Sequence, residues 1–249
     1  MINCTKVVLV TGASRGIGRA IAIAFGTSGY RVAVGYNSGD QSAAKVVSEI
    51  MVLGGEALSV GVDVQSRASI KSALSKIRNT FGDVSILINN AAISQEKPFD
   101  EITDEDWDVM LSTNLRSAFI CSQEVLPYMV EKKWGRIINL TSIGGQWGGI
   151  NQIHYASSKA GLIGLTKSLG KTYSKYGITT NAIAPGLVAT EMSANELTTN
   201  AGQEKVKNIP VGRLGSLKEI SSAVIYLASD EASYITGQTI NLNGGMYFG

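Results

Sequence analysis

The sequence predicts an α/β fold in which seven parallel β-strands alternate with α-helices. Seven short apolar segments lack strict apolar–polar alternation, as expected of parallel strands that are covered on both faces. Longer segments with helical periodicity separate them, which indicates βαβ units with right-handed crossovers. A glycine-rich turn joins the first strand to the first helix.

The predicted strands share runs of Val, Ile, Leu and Ala that end in small or polar residues. In chain order they are KVVLVTG (6–12), RVAVGY (31–36), ALSVGVD (57–63), VSILINNAA (84–92), GRIINLTS (135–142), ITTNAIAPG (178–186) and TINLNGG (239–245).

The predicted helices lie between these strands and carry apolar residues at helical spacing. They cover 17–30, 40–54, 66–81, 103–132, 153–176 and 216–228. We expect Gly29 to end the first helix and Asp40 to be the N-cap of the second, since these residue types favour those positions. The least regular segment, Leu187 to Gly215, is expected to be an insertion that closes over a ligand.

Composition excludes several classes of protein. The 249 residues fit one large domain, assigned to 1–249, and 44% hydrophobic content argues against disorder. A net charge of +2 gives no reason to expect a nucleic-acid or membrane surface. Cys4 and Cys121 are isolated, so neither a disulfide nor a metal site is expected. The N-terminus lacks a signal-peptide pattern and no apolar run could span a bilayer, so we expect a cytoplasmic protein.

The turn TGASRGIG (11–18) indicates a nucleotide-binding site because it follows a buried strand and precedes an amphipathic helix. Gly12 would allow the tight turn. Gly16 and Gly18 would let the backbone approach a pyrophosphate and the helix approach the sheet. The helix N-terminus would bind the anion, and Ser14 and Ile17 complete the predicted contacts. A plain tight turn between strand and helix is the alternative.

The end of the second strand favours NADP(H) over NAD(H). A carboxylate there would bind the adenosine ribose and repel a 2′-phosphate, but the sequence reads Tyr36, Asn37, Ser38. Arg15, in the glycine turn, is placed to pair with the 2′-phosphate. Alternatively, Arg15 is a solvated loop cation.

Three proton-handling residues occur in SIGGQWGGINQIHYASSK (142–159). Tyr155 and Lys159 are four residues apart and therefore share one helical face. A nearby ammonium favours phenolate, so Lys159 would lower the pKa of Tyr155 and make it a usable acid–base catalyst. Ser142 ends the preceding strand and could hold a carbonyl oxygen beside the tyrosine.

These motifs together resemble those of the short-chain dehydrogenase/reductase family over nearly the whole chain. The matching elements are TGASRGIG (11–18), VD (62–63), NNAA (89–92), Asn114, Ser142, YASSK (155–159), PG (185–186) and Thr190. The family's usual NNAG reads NNAA here. The resemblance implies a doubly wound, Rossmann-type three-layer sandwich with a seven-stranded parallel sheet.

The resemblance also implies a role for each matching residue. Tyr155 protonates the carbonyl oxygen as hydride arrives from the nicotinamide, Lys159 holds the nicotinamide ribose, and Asn114 holds a water of the proton relay. Asp63 and Val64 lie near the adenine, and Asn90, Ala91 and Ala92 line the adenosine ribose. Four residues of the segment 185–190 cover the nicotinamide amide: Pro185, Gly186, Val188 and Thr190.

Within this family the sequence is most similar to 3-oxoacyl-[acyl-carrier-protein] reductases. This similarity implies NADPH-dependent reduction of a 3-oxoacyl thioester, with acetoacetyl-CoA as a possible substrate, and a homotetramer formed by the helices at 103–132 and 153–176. An acidic carrier protein needs a basic docking site. Two clusters could supply one, unless they are ordinary solvated helix ends: Lys132, Lys133 and Arg136, and Lys171 with Lys175.

Some features leave the substrate open. Tyr176 stands where such reductases often have an arginine. Trp147 could line a substrate pocket or pack structurally, and His154, beside Tyr155, faces another direction on a helix. The alternatives are a dehydrogenase for another alcohol or ketone (a sugar, steroid, polyketide or cyclic ketone) and a nucleotide-binding regulator without turnover.

Overall fold

The computed structural model describes residues 6–190 and 200–249, and it confirms the predicted fold class. Seven strands form one all-parallel sheet in the order β3-β2-β1-β4-β5-β6-β7. The strands are β1 (Val7–Val10), β2 (Arg31–Tyr36), β3 (Glu56–Gly61), β4 (Val84–Asn89), β5 (Gly135–Leu140), β6 (Ile178–Pro185) and β7 (Thr239–Leu242).

Helices cover both faces of this sheet. They are α1 (Gly16–Thr27), α2 (Asp40–Val52), α3 (Arg67–Phe81), α4 (Asp104–Leu111), α5 (Ser117–Lys132), α6 (Gly144–Trp147), α7 (Ile153–Tyr173), α8 (Asn200–Lys207) and α9 (Leu217–Ala228). Two 3₁₀ turns, Phe99–Glu101 and Ser174–Tyr176, and one π-helical turn, Ser112–Arg116, complete the described helical segments.

The core has two halves because alternate residues of each strand face opposite sides of the sheet. On one side Val8 and Val10 of β1 pack with residues of α1, α2 and α9. On the other side Val7 and Leu9 pack with residues of α3 and α5. Both faces of the central strands are therefore buried under helices, which explains why apolar and polar residues do not alternate along these strands.

The predicted helix at 103–132 is interrupted. Thr103 caps α4 in a reciprocal capping box with Asp106, as the sequence allows. The chain then makes the π-helical turn Ser112–Arg116 before α5 begins. Isolated π turns inside helices are frequent at functional sites. Here the turn carries Asn114.

Some predicted boundaries are also wrong by a few residues. β4 ends at Asn89 rather than at 92, and β7 at Leu242 rather than at 245. α2 begins at Asp40 itself, and Gly39 with φ of 87° is the N-cap, so Asp40 is the first helical residue. Its carboxylate accepts a hydrogen bond from the Gln41 N–H over 2.8 Å.

Within residues 6–190 and 200–249, every helix is too short or too polar to cross a bilayer. In the predicted insertion, Val188 pairs with Gly215 and α8 lies between them in sequence. Residues 191–199 of that prediction, and Cys4, lie outside the described residues.

Candidate active site

The strand order reverses between β1 and β4, and the predicted site residues gather at this point. β2 lies on one side of β1 and β4 on the other, so the two crossovers leave a crevice at the carboxyl ends of these strands. The glycine turn follows β1, and Asn90 to Ala92 follow β4. Ser142 follows β5, and Pro185 ends β6.

The glycine turn is held rigidly by its neighbours. The Asn90 side-chain amide donates to the carbonyl oxygens of Thr11 and Gly12, over 2.9 and 3.0 Å. The Thr11 hydroxyl accepts the N–H groups of Asn90 and Ala91, each over 3.0 Å. The Asn90 amide nitrogen is therefore engaged with the turn, and Thr11 is a supporting residue that the sequence analysis did not single out.

Two glycines of the turn have distinct roles. Gly16 has φ of +56° and no atom within 4 Å of where a Cβ would lie, so it faces open space. At Gly18 a Cβ would lie 2.5 Å from the Asn90 amide nitrogen and would also meet the Gly12 carbonyl oxygen. Gly18 therefore allows close packing against the turn, whereas Gly16 leaves room for a ligand.

The N-terminus of α1 suits an anion. Arg15 is the N-cap, its side chain makes no capping hydrogen bond, and the first turn contains no acidic residue. The first N–H groups of a helix without such a cap are free to bind phosphate oxygens, and the helix dipole favours negative charge there. Arg15 is exposed, Ser14 is half-buried, and Ile17 packs against the core beneath.

The predicted adenosine end of the site contains no free-standing carboxylate directly after β2. Tyr36 ends that strand, and Asn37 and Ser38 are exposed. Asp63 accepts the Gln65 N–H over 2.9 Å, so its carboxylate also shapes the loop after β3. Val64 is buried in the core. The residues present thus fit a nicotinamide nucleotide.

Lys159 is buried, one helical turn after Tyr155 in α7. Its ammonium donates to the Leu140 carbonyl oxygen at the end of β5 over 2.8 Å. Its Nζ lies 5.7 Å from the centre of the Tyr155 ring. Burial lowers the pKa of Lys159 to about 8. The amine is thus held to β5, and not to the phenol.

This arrangement corrects the expected effect of Lys159 on Tyr155. Burial raises the pKa of Tyr155 above its ordinary value, and contact with the Ser142 hydroxyl opposes that rise only in part. The expectation of a lowered pKa is wrong for this structure because desolvation is the largest cause of the shift and the Lys159 ammonium is bound to a backbone carbonyl oxygen. Tyr155 therefore keeps its proton at neutral pH.

Ser142 lies beside the tyrosine on a fixed turn. The backbone N–H groups of Thr141 and Ile143 donate to the carbonyl oxygens of Ile183 and Pro185, which ties the segment to β6. The Ser142 hydroxyl accepts the Gly144 N–H over 3.1 Å and contacts the Tyr155 side chain. A Cβ on Gly144 would lie 3.5 Å from the Ser142 oxygen and 3.9 Å from the Tyr155 ring.

Asn114 joins three elements at the edge of this site. Its side chain accepts the Ile93 N–H and donates to the Ile93 carbonyl oxygen, each over 2.9 Å. It also donates to the Ser158 hydroxyl over 3.1 Å. The π-helical turn thus holds both the loop after β4 and α7, one residue from Lys159. The water predicted for Asn114 stays a prediction.

The segment after β6 is packed against β7 and the residue that follows it. The Gly186 N–H donates to the Leu242 carbonyl oxygen over 3.0 Å, and a Cβ on Gly186 would lie 2.9 Å from Asn243. Val188 is buried and Thr190 is half-buried. This segment therefore depends on the strand β7 packed beside it.

Trp147 and His154 contact neighbouring parts of the protein. The Trp147 ring packs edge-to-face on Tyr247, with centroids 6.4 Å apart, and is half exposed. His154 is fully buried and its Nε2 lies 2.7 Å from Gln95 Oε1. The sequence analysis missed Gln95, and nothing local to it in the sequence indicates this long-range contact.

The two predicted basic clusters differ in how far their side chains are exposed. Arg136 is only 2% exposed, stacks on Trp134 and pairs with Asp230 over 3.2 Å, so it is a structural residue and not part of a docking surface. Lys132 pairs with Glu131 over 2.7 Å. Lys171 and Lys175 are exposed. Among the described residues, no group of three His, Cys, Asp or Glu could hold a metal ion.

The fold and the site together define a nicotinamide-dependent oxidoreductase. A family model described as Enoyl-(Acyl carrier protein) reductase matches residues 12–247. The chain belongs to the short-chain dehydrogenase/reductase family.

Similar proteins span nearly the whole chain. It is 44% identical to the 3-oxoacyl-[acyl-carrier-protein] reductase FabG of Escherichia coli (strain K12), covering 97% of each chain. It is 42% identical to the protein of that name from Staphylococcus epidermidis, covering 97% of this chain and 99% of the relative. A crystal structure of a proposed gluconate dehydrogenase from Agrobacterium tumefaciens is 32% identical, with a TM-score of 0.93 and coverage of 97% and 95%.

Proposed function

We propose that this protein reduces 3-oxoacyl thioesters to 3-hydroxyacyl thioesters with NADPH. The observation that carries the proposal is that Ser142 contacts Tyr155 and that Lys159 binds the Leu140 carbonyl oxygen at the carboxyl end of β5, two strands from β1. Relatives named 3-oxoacyl-[acyl-carrier-protein] reductase are 40–44% identical over nearly the full chain. This combination favours the acyl-thioester class of carbonyl substrate.

The proposed chemistry divides between cofactor and protein. The nicotinamide, when bound, supplies a hydride to the carbonyl carbon. Tyr155, neutral because burial raises its pKa, gives its proton to the carbonyl oxygen as negative charge develops there. The Ser142 hydroxyl donates a hydrogen bond to the same oxygen and so fixes the carbonyl, while its proton stays on the serine. One hydride and one proton are added, and the product is the alcohol.

Lys159 and Asn114 are proposed to support this step. The Lys159 ammonium is placed to bind the nicotinamide ribose and to stabilise the phenolate that forms when Tyr155 loses its proton. Asn114 is proposed to hold a water between Lys159 and solvent through which the proton is replaced. Its firm attachment to Ile93 and Ser158 supports a positioning role.

NADP(H) is the proposed cofactor. The supporting observations are the absence of a carboxylate at Tyr36–Ser38 and the exposed Arg15 at the α1 N-terminus. A 2′-phosphate would gain a charge-assisted hydrogen bond from Arg15 that NAD cannot make. Arg15→Ala should therefore raise the KM for NADPH about tenfold and leave that for NADH unchanged. Equal changes for both cofactors would contradict the assignment.

A second candidate substrate class is a sugar acid. Its support is the 0.93 TM-score to the proposed gluconate dehydrogenase, although the sequence identity of 32% is lower than to the acyl-thioester reductases. The distinguishing experiment compares kcat/KM for acetoacetyl-CoA reduction with that for gluconate oxidation. We expect turnover of acetoacetyl-CoA only; turnover of gluconate alone would overturn the proposal in favour of this candidate.

We also propose a cytoplasmic homotetramer that receives its substrate on an acyl carrier protein. Apolar side chains of the α4 and α5 region support an interface, since Trp107, Val109 and Phe119 are 38%, 38% and 45% exposed. Exposed Lys132, Lys133, Lys171 and Lys175 are the remaining candidates for carrier docking, and Arg136 is excluded because it is buried. Charge complementarity with an acidic carrier is the physical basis of this docking.

A further inference from the structure

Every second residue of the loop segment Ile93–Lys97, which follows β4, is linked by hydrogen bonds to α7 or to the residues just before it. Ile93 is bound by Asn114, which also holds Ser158 on α7. Four residues further on, the Lys97 N–H donates to the Asn151 carbonyl oxygen just before α7, over 2.7 Å. Gln95 lies midway, and its amide oxygen meets His154. This part of the loop has no helical or strand hydrogen bonds of its own.

His154 makes the buried contact of this series. It is fully buried, it directly precedes Tyr155 in α7, and its Nε2 lies 2.7 Å from Gln95 Oε1. The Gln95 amide nitrogen donates to Asp106 Oδ1 over 3.0 Å, so the amide oxygen must face the histidine. His154 Nε2 is therefore the donor of this hydrogen bond.

Asp106, which binds the Gln95 amide nitrogen, is itself held in place by several hydrogen bonds. Asp106 accepts hydrogen bonds from the Lys97 ammonium over 2.7 Å and from the Thr103 N–H over 3.0 Å. These partners hold the pKa of Asp106 well below its usual range, so it stays ionised at neutral pH. The Gln95 side chain thus connects Asp106, in the first turn of α4, with His154, the residue before Tyr155.

We propose that His154 is a positioning residue that, through Gln95, holds the segment Ile93–Lys97 as a wall of the substrate site next to Tyr155. The segment leaves β4 at the strand end that carries the candidate active site, and it faces α7 where Tyr155 lies. His154 does not contact the reacting atoms in this assignment. The inference rests on the proposed function, because that function makes this cleft the acyl-thioester site.

His154 Nδ1 supports a dedicated role for the ring. It is buried without a hydrogen-bond partner among the described residues. A buried polar atom without a partner is unfavourable, so an apolar side chain would suit this position better if packing were its only purpose. The histidine therefore leaves Nδ1 without a partner and uses Nε2 for the hydrogen bond to Gln95, which indicates that this hydrogen bond is needed.

The test compares two replacements of the histidine. His154→Leu removes the donor, whereas His154→Gln places an amide N–H close to the position of Nε2. For acetoacetyl-CoA reduction we expect His154→Leu to raise KM about tenfold, with kcat changed less than about threefold and NADPH affinity unchanged. His154→Gln should restore KM to within about twofold of the wild-type value.

Two further variants test whether the change in KM comes from the hydrogen bond between His154 and Gln95. Gln95→Leu should raise KM as much as His154→Leu, and the double variant should be no worse than either, because both remove one interaction. Thr180→Val is the matched control, since Thr180 is equally buried and its hydroxyl also has no described partner. We expect its KM to equal that of the wild type.

The proposal is overturned if His154→Leu leaves the KM for acetoacetyl-CoA unchanged, if it raises that KM and weakens NADPH binding together, or if His154→Gln gives no rescue. Failure of the proposed function is a different result: the wild-type protein would not turn over acetoacetyl-CoA. If gluconate is then the substrate, the same KM comparison with gluconate decides whether His154 positions the loop.

Discussion

Lys159 shows how strongly a buried contact can change a residue's expected role. The sequence places it one helical turn from Tyr155, and the structure confirms that they share a helix face. Its ammonium nevertheless binds the Leu140 carbonyl oxygen, a partner from a distant strand that no local pattern reveals. The residue types of the site were therefore predictable, whereas their protonation was not.

The pKa of Lys159 leads to a pH prediction. Burial lowers that pKa to about 8, so the lysine is protonated below pH 8 and neutral above it in the folded protein. Tyr155, with its raised pKa, keeps its proton through this range. We expect kcat/KM for reduction to fall as pH rises through about 8, because the ammonium that would stabilise the phenolate is lost.

The measurement is a pH profile of kcat/KM at limiting acetoacetyl-CoA with saturating NADPH. Lys159→Met, which cannot titrate, is the control and should give a low and flat profile across this range. A wild-type profile that is level from pH 7 to 10 would contradict the assigned role of Lys159.

Arg136 shows that the sequence around a basic residue does not reveal whether its side chain is exposed or buried. It stands in sequence beside Lys132 and Lys133 and reads as part of a basic surface. In the structure it is buried, because Asp230, the Ser229 carbonyl oxygen and the Trp134 ring satisfy its guanidinium. All of these but Trp134 lie more than ninety residues away in sequence.

Among the elements, the turn between β1 and α1 was the most predictable. Its glycines, the buried strand before it and the amphipathic helix after it are all local features of the sequence. The π-helical turn at Ser112–Arg116 was not predictable, because its residues also fit a continuous α-helix. It is stabilised by contacts of Asn114 with two other elements.

The packing of α1 gives a prediction at this scale. In Gly18→Ala the new Cβ would meet the Gly12 carbonyl oxygen and the Asn90 amide nitrogen, which are themselves hydrogen-bonded to each other. Neither can move freely, so we expect a loss of about 1–3 kcal/mol in the free energy of unfolding. NADPH affinity should fall as well, because the turn would be displaced.

Chemical denaturation and a fluorescence titration with NADPH check these two effects. An alanine at position 18 that leaves both the unfolding midpoint and the NADPH affinity intact would show that the close packing of α1 on the turn is not required.

At the scale of the whole molecule, the alternation of elements predicted the parallel seven-stranded sheet. The sequence did not reveal how the C-terminal end joins the site. β7 pairs with β6, Gln146 donates to Asn241 over 2.5 Å, and the Trp147 ring packs against Tyr247. The last two contacts join residues about one hundred positions apart in sequence, and only the completed fold brings them together.

Assembly is the prediction that belongs to this scale. If α5 forms a subunit interface, the protein should elute with a mass four times its 26.3 kDa chain mass. Phe119→Glu would place a charge on that apolar surface and should shift the mass to that of a smaller species. Light scattering after size exclusion measures both. An unchanged mass for Phe119→Glu would exclude this part of α5 from the interface.

The central claim is that Tyr155 is the proton donor of a 3-oxoacyl thioester reductase. The most direct measurement is the rate of NADPH oxidation with acetoacetyl-CoA, for the wild-type protein and for Tyr155→Phe, beside an NADPH titration of each. We expect fast oxidation by the wild type, and for Tyr155→Phe an unchanged NADPH affinity with a rate reduced at least about a hundredfold. Substantial turnover by Tyr155→Phe would contradict its role as the acid, and no turnover by the wild type would contradict the substrate class.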